Sequence, residues 1–88
     1  MLEIIYTSSF KRDIKKMKKR RKNIKKLHQI LSLLVEEKSL SAKYTNHKLS
    51  GNYKDCWECH IEPDWLLIYR KDKKYLELAR TGSHSDLF

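Results

Sequence analysis

The chain has 88 residues, with 20 Lys and Arg against 11 Asp and Glu, and a net charge of +9 at pH 7. This length predicts a single domain over residues 1–88, and 40% hydrophobic with 35% charged residues indicates a globular chain rather than a disordered one. The sequence shows neither the roughly 18 apolar residues of a membrane span nor the layout of a signal peptide. We therefore expect a cytoplasmic protein with reduced cysteines and no membrane partner.

The first half of the chain predicts a strand followed by a helical hairpin. Residues 2–6 are an apolar strand, and the Thr-Ser-Ser cluster at 7–9 is typical of a helix N-cap. Apolar residues at helical spacing then predict one helix from Phe10 through Met17 and a second helix from a cap at Asn23 to about Glu37.

The second half predicts antiparallel strands. Residues 53–61 alternate loosely, residues 62–64 form a turn around the proline, and residues 65–69 are a continuous apolar strand that we expect to be central and buried. A further strand over 75–80 follows a hairpin turn. The predicted fold class is α+β, with an N-terminal strand and a helical hairpin packed on a small antiparallel sheet.

Cys56, Cys59 and His60 match the C-x-x-C-H pattern of haem attachment. In a strand, however, Cys56 and Cys59 point to opposite faces, so one haem or one metal ion cannot engage both. We interpret the cysteines as small buried or half-buried thiols, and we expect no cofactor and no metal site.

Eleven Lys or Arg and a single acid lie between Lys11 and Lys26. Charged residues on an amphipathic helix are often merely solvated, but a field of one sign favours a polyanion partner such as nucleic acid. The candidate binding residues are Lys15, Lys18, Lys19 and Lys22.

Three histidines of the second half fall at strand ends or in loops, together with one aspartate: His47, His60, Asp64 and His84. Each alone is typical of a surface side chain, but the set in a basic domain favours acid–base chemistry on a polyanion. RNA carries its own nucleophile, the 2′-OH, so its cleavage needs a base, an acid and cations but no metal ion. Arg80 suits a phosphate, and Trp65 and Phe88 offer flat surfaces for bases.

Three segments resemble a known family: HKLSG from His47, CHIEPDWLLIY from Cys59, and RTGSHSDLF from Arg80. They resemble the YafQ-like toxins of the RelE/ParE superfamily of type II toxin–antitoxin systems, and the similarity spans essentially the whole chain. The resemblance implies a RelE-like fold and a ribosome-dependent endoribonuclease that cuts mRNA. It also implies a cognate acidic antitoxin, and operator DNA bound through the antitoxin complex.

The resemblance places His47, His60, Asp64 and His84 at functional positions of that family and Phe88 at its terminal aromatic. By chemistry, His84 is our candidate general acid and Asp64 our candidate base, with His60 as the alternative base. His47 and His60 would orient or charge the phosphate. Glu58 stands where some relatives have aspartate.

Two alternatives remain open at this point. The same superfamily includes toxins that act on DNA gyrase without cleaving nucleic acid, although those generally lack the histidine set. A protein whose nuclease activity has decayed would instead act only as a nucleic-acid-binding or antitoxin-binding module.

Overall fold

The computed structural model describes residues 1–53 and 55–88, in which one strand and two helices precede four strands and a short helix. Two short 3-10 turns, Ala42–Tyr44 and Gly51–Tyr53, flank the second strand. In chain order the elements are β1 Glu3–Tyr6, α1 Ser8–Lys19, α2 Ile24–Val35, β2 His47–Lys48, β3 Trp57–Glu62, β4 Trp65–Lys71, β5 Tyr75–Gly82 and α3 His84–Leu87.

Side-chain caps begin both long helices where the sequence predicts them. Thr7 accepts the Phe10 N–H at the start of α1, and Asn23 accepts the Lys25 N–H at the start of α2. Each helix has 12 residues. Among the described residues, none forms part of a helix with the length and hydropathy that a membrane crossing requires.

The five strands form one sheet in the order β1-β5-β4-β3-β2, so β4 is the central strand. All neighbouring strands are antiparallel except β1 and β5, which are parallel. The predicted α+β fold is confirmed, with an antiparallel sheet over β2–β5, and β1 adds a parallel strand at its edge. A tight turn joins only antiparallel strands. Because the helical hairpin separates β1 from the later strands, β1 is free to pair in the parallel direction.

The predicted strand over residues 53–61 is observed in part, as β3, and Lys54 within that prediction lies outside the described residues. The predicted central strand is confirmed as β4, which is buried on both faces. One face packs under the helices, and the other packs against Cys56 and Leu87. The two cysteines are buried in different clusters, as the alternation of a strand predicts.

The prediction that Trp65 offers its ring to an RNA base is wrong, because Trp65 is 0% exposed. It begins β4 on the face that packs under the helices. Its indole Nε1 donates to Thr81 Oγ1 at 2.9 Å, so even its polar atom is satisfied inside the protein. The continuous apolar run that predicts a buried strand includes Trp65 itself.

Candidate active site

The structure brings all three predicted histidines and Asp64 to one end of the sheet. His47 lies in β2, His60 in β3, Asp64 in the turn before β4, and His84 at the first position of α3. The ring centroids of His47 and His60 are 6.4 Å apart, and those of His60 and His84 are 5.7 Å apart. Residues from three different elements thus form one row of imidazoles.

Asp64 holds His84 through two hydrogen bonds to the same carboxylate oxygen. Oδ1 accepts the backbone N–H of His84 at 2.9 Å and lies 2.6 Å from its ring Nδ1. The pKa of Asp64 is lowered, first by the backbone hydrogen bond and then by the His84 side chain. Because a carboxylate accepts, Nδ1 of His84 carries a proton and Nε2 is the nitrogen left for a ligand.

Glu58 is a buried carboxylate, 5% exposed, that links the other two histidines. Its Oε1 lies 3.0 Å from Nε2 of His60 and 3.6 Å from Nε2 of His47. His47 is directly opposite Glu58 in the β2–β3 register, and its Nδ1 donates to the Thr45 carbonyl at 2.9 Å. The sequence marks Glu58 only as a departure from some relatives, whereas the structure makes it the shared partner of two site histidines.

A capping box and an ion pair position α3, which carries His84. Ser83 and Asp86 exchange side-chain and backbone hydrogen bonds at the start of the helix. Asp86 also accepts from Arg20 of α1 at 2.6 and 3.0 Å, and Lys16 lies 3.8 Å away. The pKa of Asp86 is lowered, chiefly by Arg20. A Cβ at Gly82 would lie 2.9 Å from Asp86 atoms, so Gly82 permits this close approach.

Sequence reasoning missed this anchor of α3. The Ser83-x-x-Asp86 spacing is a readable capping signal. The Arg20 partner is not readable, because it lies 66 residues away on another element.

The structure holds Arg80, the predicted phosphate ligand, against α1. Its Nε and Nη2 donate to the buried Asp13 at 2.7 and 3.2 Å, and the backbone N–H of Thr81 donates to the same carboxylate. Asp13 raises the pKa of Arg80. The Arg80 side chain is 30% exposed, and Nη1 is the nitrogen that Asp13 does not engage.

The four predicted lysines do not share one surface. Lys22 donates to Glu62 at 3.0 Å, as Lys26 does at 2.9 Å, which places both beside the turn that carries Asp64. The two ammonium groups lower the pKa of Glu62, Lys26 first. Lys15 and Lys18 instead line a groove between α1 and α2, and Lys19 is exposed.

Phe88 follows α3 and is 65% exposed. Its ring meets the edge of the Tyr53 ring with centroids 5.5 Å apart, and the Tyr53 hydroxyl donates to the Leu87 carbonyl. Unlike Trp65, this predicted aromatic has a surface that a ligand can reach.

The C-x-x-C-H segment does not form a shared ligand set. Cys56 and Cys59 are buried on opposite faces of the sheet, and burial raises the pKa of Cys59 to about 12. Such thiols are poor nucleophiles and poor metal ligands near neutral pH.

A sheet with a helical hairpin on one face is shared with bacterial toxins. A family model described as "Bacterial toxin of type II toxin-antitoxin system, YafQ" matches residues 2–88. The mRNA interferase toxin YafQ of Escherichia coli K12 is 39% identical over 87 residues, covering 98% of this chain and 95% of that protein.

Solved structures agree with the family match. The E. coli DinJ-YafQ toxin–antitoxin complex contains a chain with a TM-score of 0.92 and 39% identity, covering 99% of this chain and 97% of that one. A metal-bound toxin from Helicobacter pylori has a TM-score of 0.94 and 41% identity, with 100% of both chains covered. The fold is that of a type II toxin. The chain belongs to the YafQ family of these toxins.

We predict that Asp86→Asn lowers the free energy of unfolding at pH 7 by about 1–2 kcal/mol, because it removes a charged partner of the half-exposed Arg20. An aspartate whose pKa is lowered in the folded state stabilises the fold at pH values above its ordinary pKa of about 3.9. This contribution is lost as the pH falls through the folded-state pKa. The difference between wild type and variant should therefore narrow below about pH 4. Urea unfolding across this pH range measures both effects.

Glu36→Gln is the matched control for Asp86→Asn, since Glu36 pairs with Lys38 on the exposed surface. We expect it to change stability by less than about 0.5 kcal/mol. Equal effects of the two substitutions, or a difference at Asp86 that persists unchanged at low pH, would contradict the proposed anchor.

Proposed function

We propose that this chain is an endoribonuclease toxin that cleaves mRNA on the ribosome by metal-independent attack of the 2′-OH on the neighbouring phosphate. The observation that carries the proposal is the pair His60 and His84, whose rings are 5.7 Å apart and whose carboxylate partners are different. Cleavage through a 2′-OH requires one group that accepts a proton and another that donates one. The E. coli relative is named an mRNA interferase, which agrees with this chemistry.

His84 is the proposed general acid. Asp64 accepts from its Nδ1, so Nε2 is the nitrogen through which a protonated ring can donate to a substrate. The proton would go to the 5′-oxygen that leaves the phosphorus. The His84 side chain is 54% exposed, so an RNA strand can reach this nitrogen.

Of the two candidate bases named from sequence, the geometry favours His60 over Asp64. The hydrogen bonds from His84 lower the pKa of Asp64, and a weaker base removes a proton from a hydroxyl less readily. Nε2 of His60 faces Glu58, so Nδ1 is the nitrogen available to accept the 2′-OH proton. Asp64 then acts through His84, as a positioning residue.

Cationic groups around the row would stabilise the doubly charged transition state. His47 shares Glu58 with His60, and Lys22 lies beside the turn that carries Asp64. Nη1 of Arg80 is a further donor for a phosphate oxygen. The exposed ring of Phe88 is the proposed platform for a base on the His84 side of the phosphate.

The remaining partners follow from charge and family. We propose a cognate acidic antitoxin that neutralises the net charge of +9, and operator DNA bound through that toxin–antitoxin complex. The E. coli YafQ relative is solved in complex with DinJ, which supports an antitoxin partner. The site of action would be the cytoplasm, where translating ribosomes present mRNA.

We predict that His84→Ala lowers the rate of mRNA cleavage by about 10²–10⁴-fold at saturating substrate, because it removes the acid. Asp64→Asn should keep the fold and lower the rate less, with a changed pH profile, since it alters only the partner of His84. His28→Ala, an exposed histidine on α2, is the matched control and should cleave at the wild-type rate.

Mapping of 5′ ends on programmed ribosomes, with and without EDTA, measures these rates. EDTA should leave the wild-type rate unchanged. A fully active His84→Ala would remove the proposed acid, and EDTA inhibition would refute the metal-free reaction. Growth arrest with intact mRNA would instead favour a toxin that does not cleave nucleic acid.

Charge reversal on the basic hairpin tests the polyanion footprint. We predict that each Lys→Glu change weakens ribosome binding and lowers the slope of log affinity against log salt by about one. Lys73→Glu, in the β4–β5 turn, changes the net charge equally and should have little effect. If every variant had the same slope of log affinity against log salt as the wild type, the hairpin lysines would be an ordinary solvated surface. The four positions are Lys15, Lys18, Lys19 and Lys22.

A further inference from the structure

A cleft of about 530 Å³ opens beside the histidine row, and His60 lines both. Its volume lies within the roughly 300–1,000 Å³ range of small-molecule sites. α2 contributes Gln29 to one wall, and the first 3-10 turn contributes Lys43 and Tyr44 to another. The reaction chemistry proposed above uses only the His60 side of this space.

The walls of the cleft have the chemistry of a nucleobase site. Tyr44 is half-buried against the main core, and the ammonium of Lys43 lies 5.1 Å from its ring centroid. Aromatic rings stack bases of any sequence, whereas an amide such as Gln29 both donates and accepts, and so can distinguish base edges. Glu62 adds an acceptor that its two lysine partners keep ionised.

Thr45 joins the cleft to the reaction site. It has φ 47° and ψ 50°, a left-handed conformation that a β-branched residue rarely adopts. It lines the cleft, while its carbonyl accepts from Nδ1 of His47. Backbone strain of this kind persists where the surroundings hold it in place, and it clusters at ligand sites.

We propose that this cleft binds the base of the nucleotide immediately 5′ of the scissile phosphate, with Tyr44 as the stacking surface and Gln29 as the residue that selects the base. The proposal rests on the nuclease function proposed above. That nucleotide carries the attacking 2′-OH, so it must lie on the same side of the phosphate as the proposed general base, His60. His60 lines the cleft.

The opposite side of the phosphate fits the nucleotide that leaves. The acid, His84, protonates the 5′-oxygen of the 3′ nucleotide, and Phe88 comes directly after the same helix. The 3′ base would therefore lie toward Phe88. The ammonium of Lys43, which lies over the Tyr44 ring, would move off that ring when a base stacks there and would pair with a phosphate on the 5′ side of the RNA.

The experiment uses the full chain and ribosomes programmed with mRNAs that differ only in the nucleotide 5′ or 3′ of the cut. Gln29→Ala should reduce discrimination among 5′ nucleotides by about tenfold and leave discrimination at the 3′ nucleotide unchanged. Tyr44→Leu keeps an apolar group against the core. It should raise the half-saturating concentration of programmed ribosomes by about tenfold, whatever the 5′ base. Tyr44→Phe should restore wild-type behaviour.

Ser32→Ala is the matched control for Gln29→Ala, because Ser32 is exposed on the same helix and is not among the residues that line the cleft. Binding to ribosomes carrying mRNA with a 2′-deoxynucleotide at the cut measures the same effects without cleavage. Wild-type discrimination in Gln29→Ala, or a change confined to the 3′ nucleotide, would overturn the cleft assignment and leave the nuclease proposal standing. Absence of cleavage by wild type, with base-dependent binding that Gln29→Ala abolishes, would overturn the nuclease proposal and leave the cleft as a base site.

Discussion

Two carboxylates hold the C-terminal helix in place, and the geometry of the site depends on them. Asp86 binds Arg20 of α1 with both oxygens, while Asp64 binds the first residue of α3 through its backbone and its ring. A helix of only four residues has no stability of its own, so these contacts and the buried side chain of Leu87 must fix it. The position of the His84 imidazole relative to His60 is thus an electrostatic consequence of residues in α1 and in the β3–β4 turn.

The buried central strand explains why the polar groups collect where they do. Over residues 65–69, β4 is covered by the helices on one face and by Cys56 and Leu87 on the other, so neither face there can display a reactive side chain. Polar residues are left at the ends and edges of the sheet, where turns and short strands present them. Each carboxylate near the histidine row has a cationic or imidazole partner, so it orients a positive group instead of repelling an RNA phosphate.

Local patterns in the sequence predict the elements well because they depend on neighbouring residues. The caps at Thr7 and Asn23, the helical hairpin and the buried strand after Pro63 can all be read from spacing and composition. Contacts between distant residues could not be read. The parallel pairing of β1, the Arg20–Asp86 pair and the use of Arg80 by Asp13 each join residues more than 60 positions apart. Trp65 is buried because it belongs to the continuous apolar run of β4, and the residue type alone does not indicate this.

We propose that His60 and His84 act on one phosphate. Nuclear magnetic resonance of the imidazole nitrogens during titration with a nucleoside vanadate, a mimic of the five-coordinate phosphorus, tests it directly. We expect the signals of His60 and His84 to shift together with a single dissociation constant, while the signal of His28 stays unchanged. A shift of only one of the two, or shifts with different dissociation constants, would contradict it.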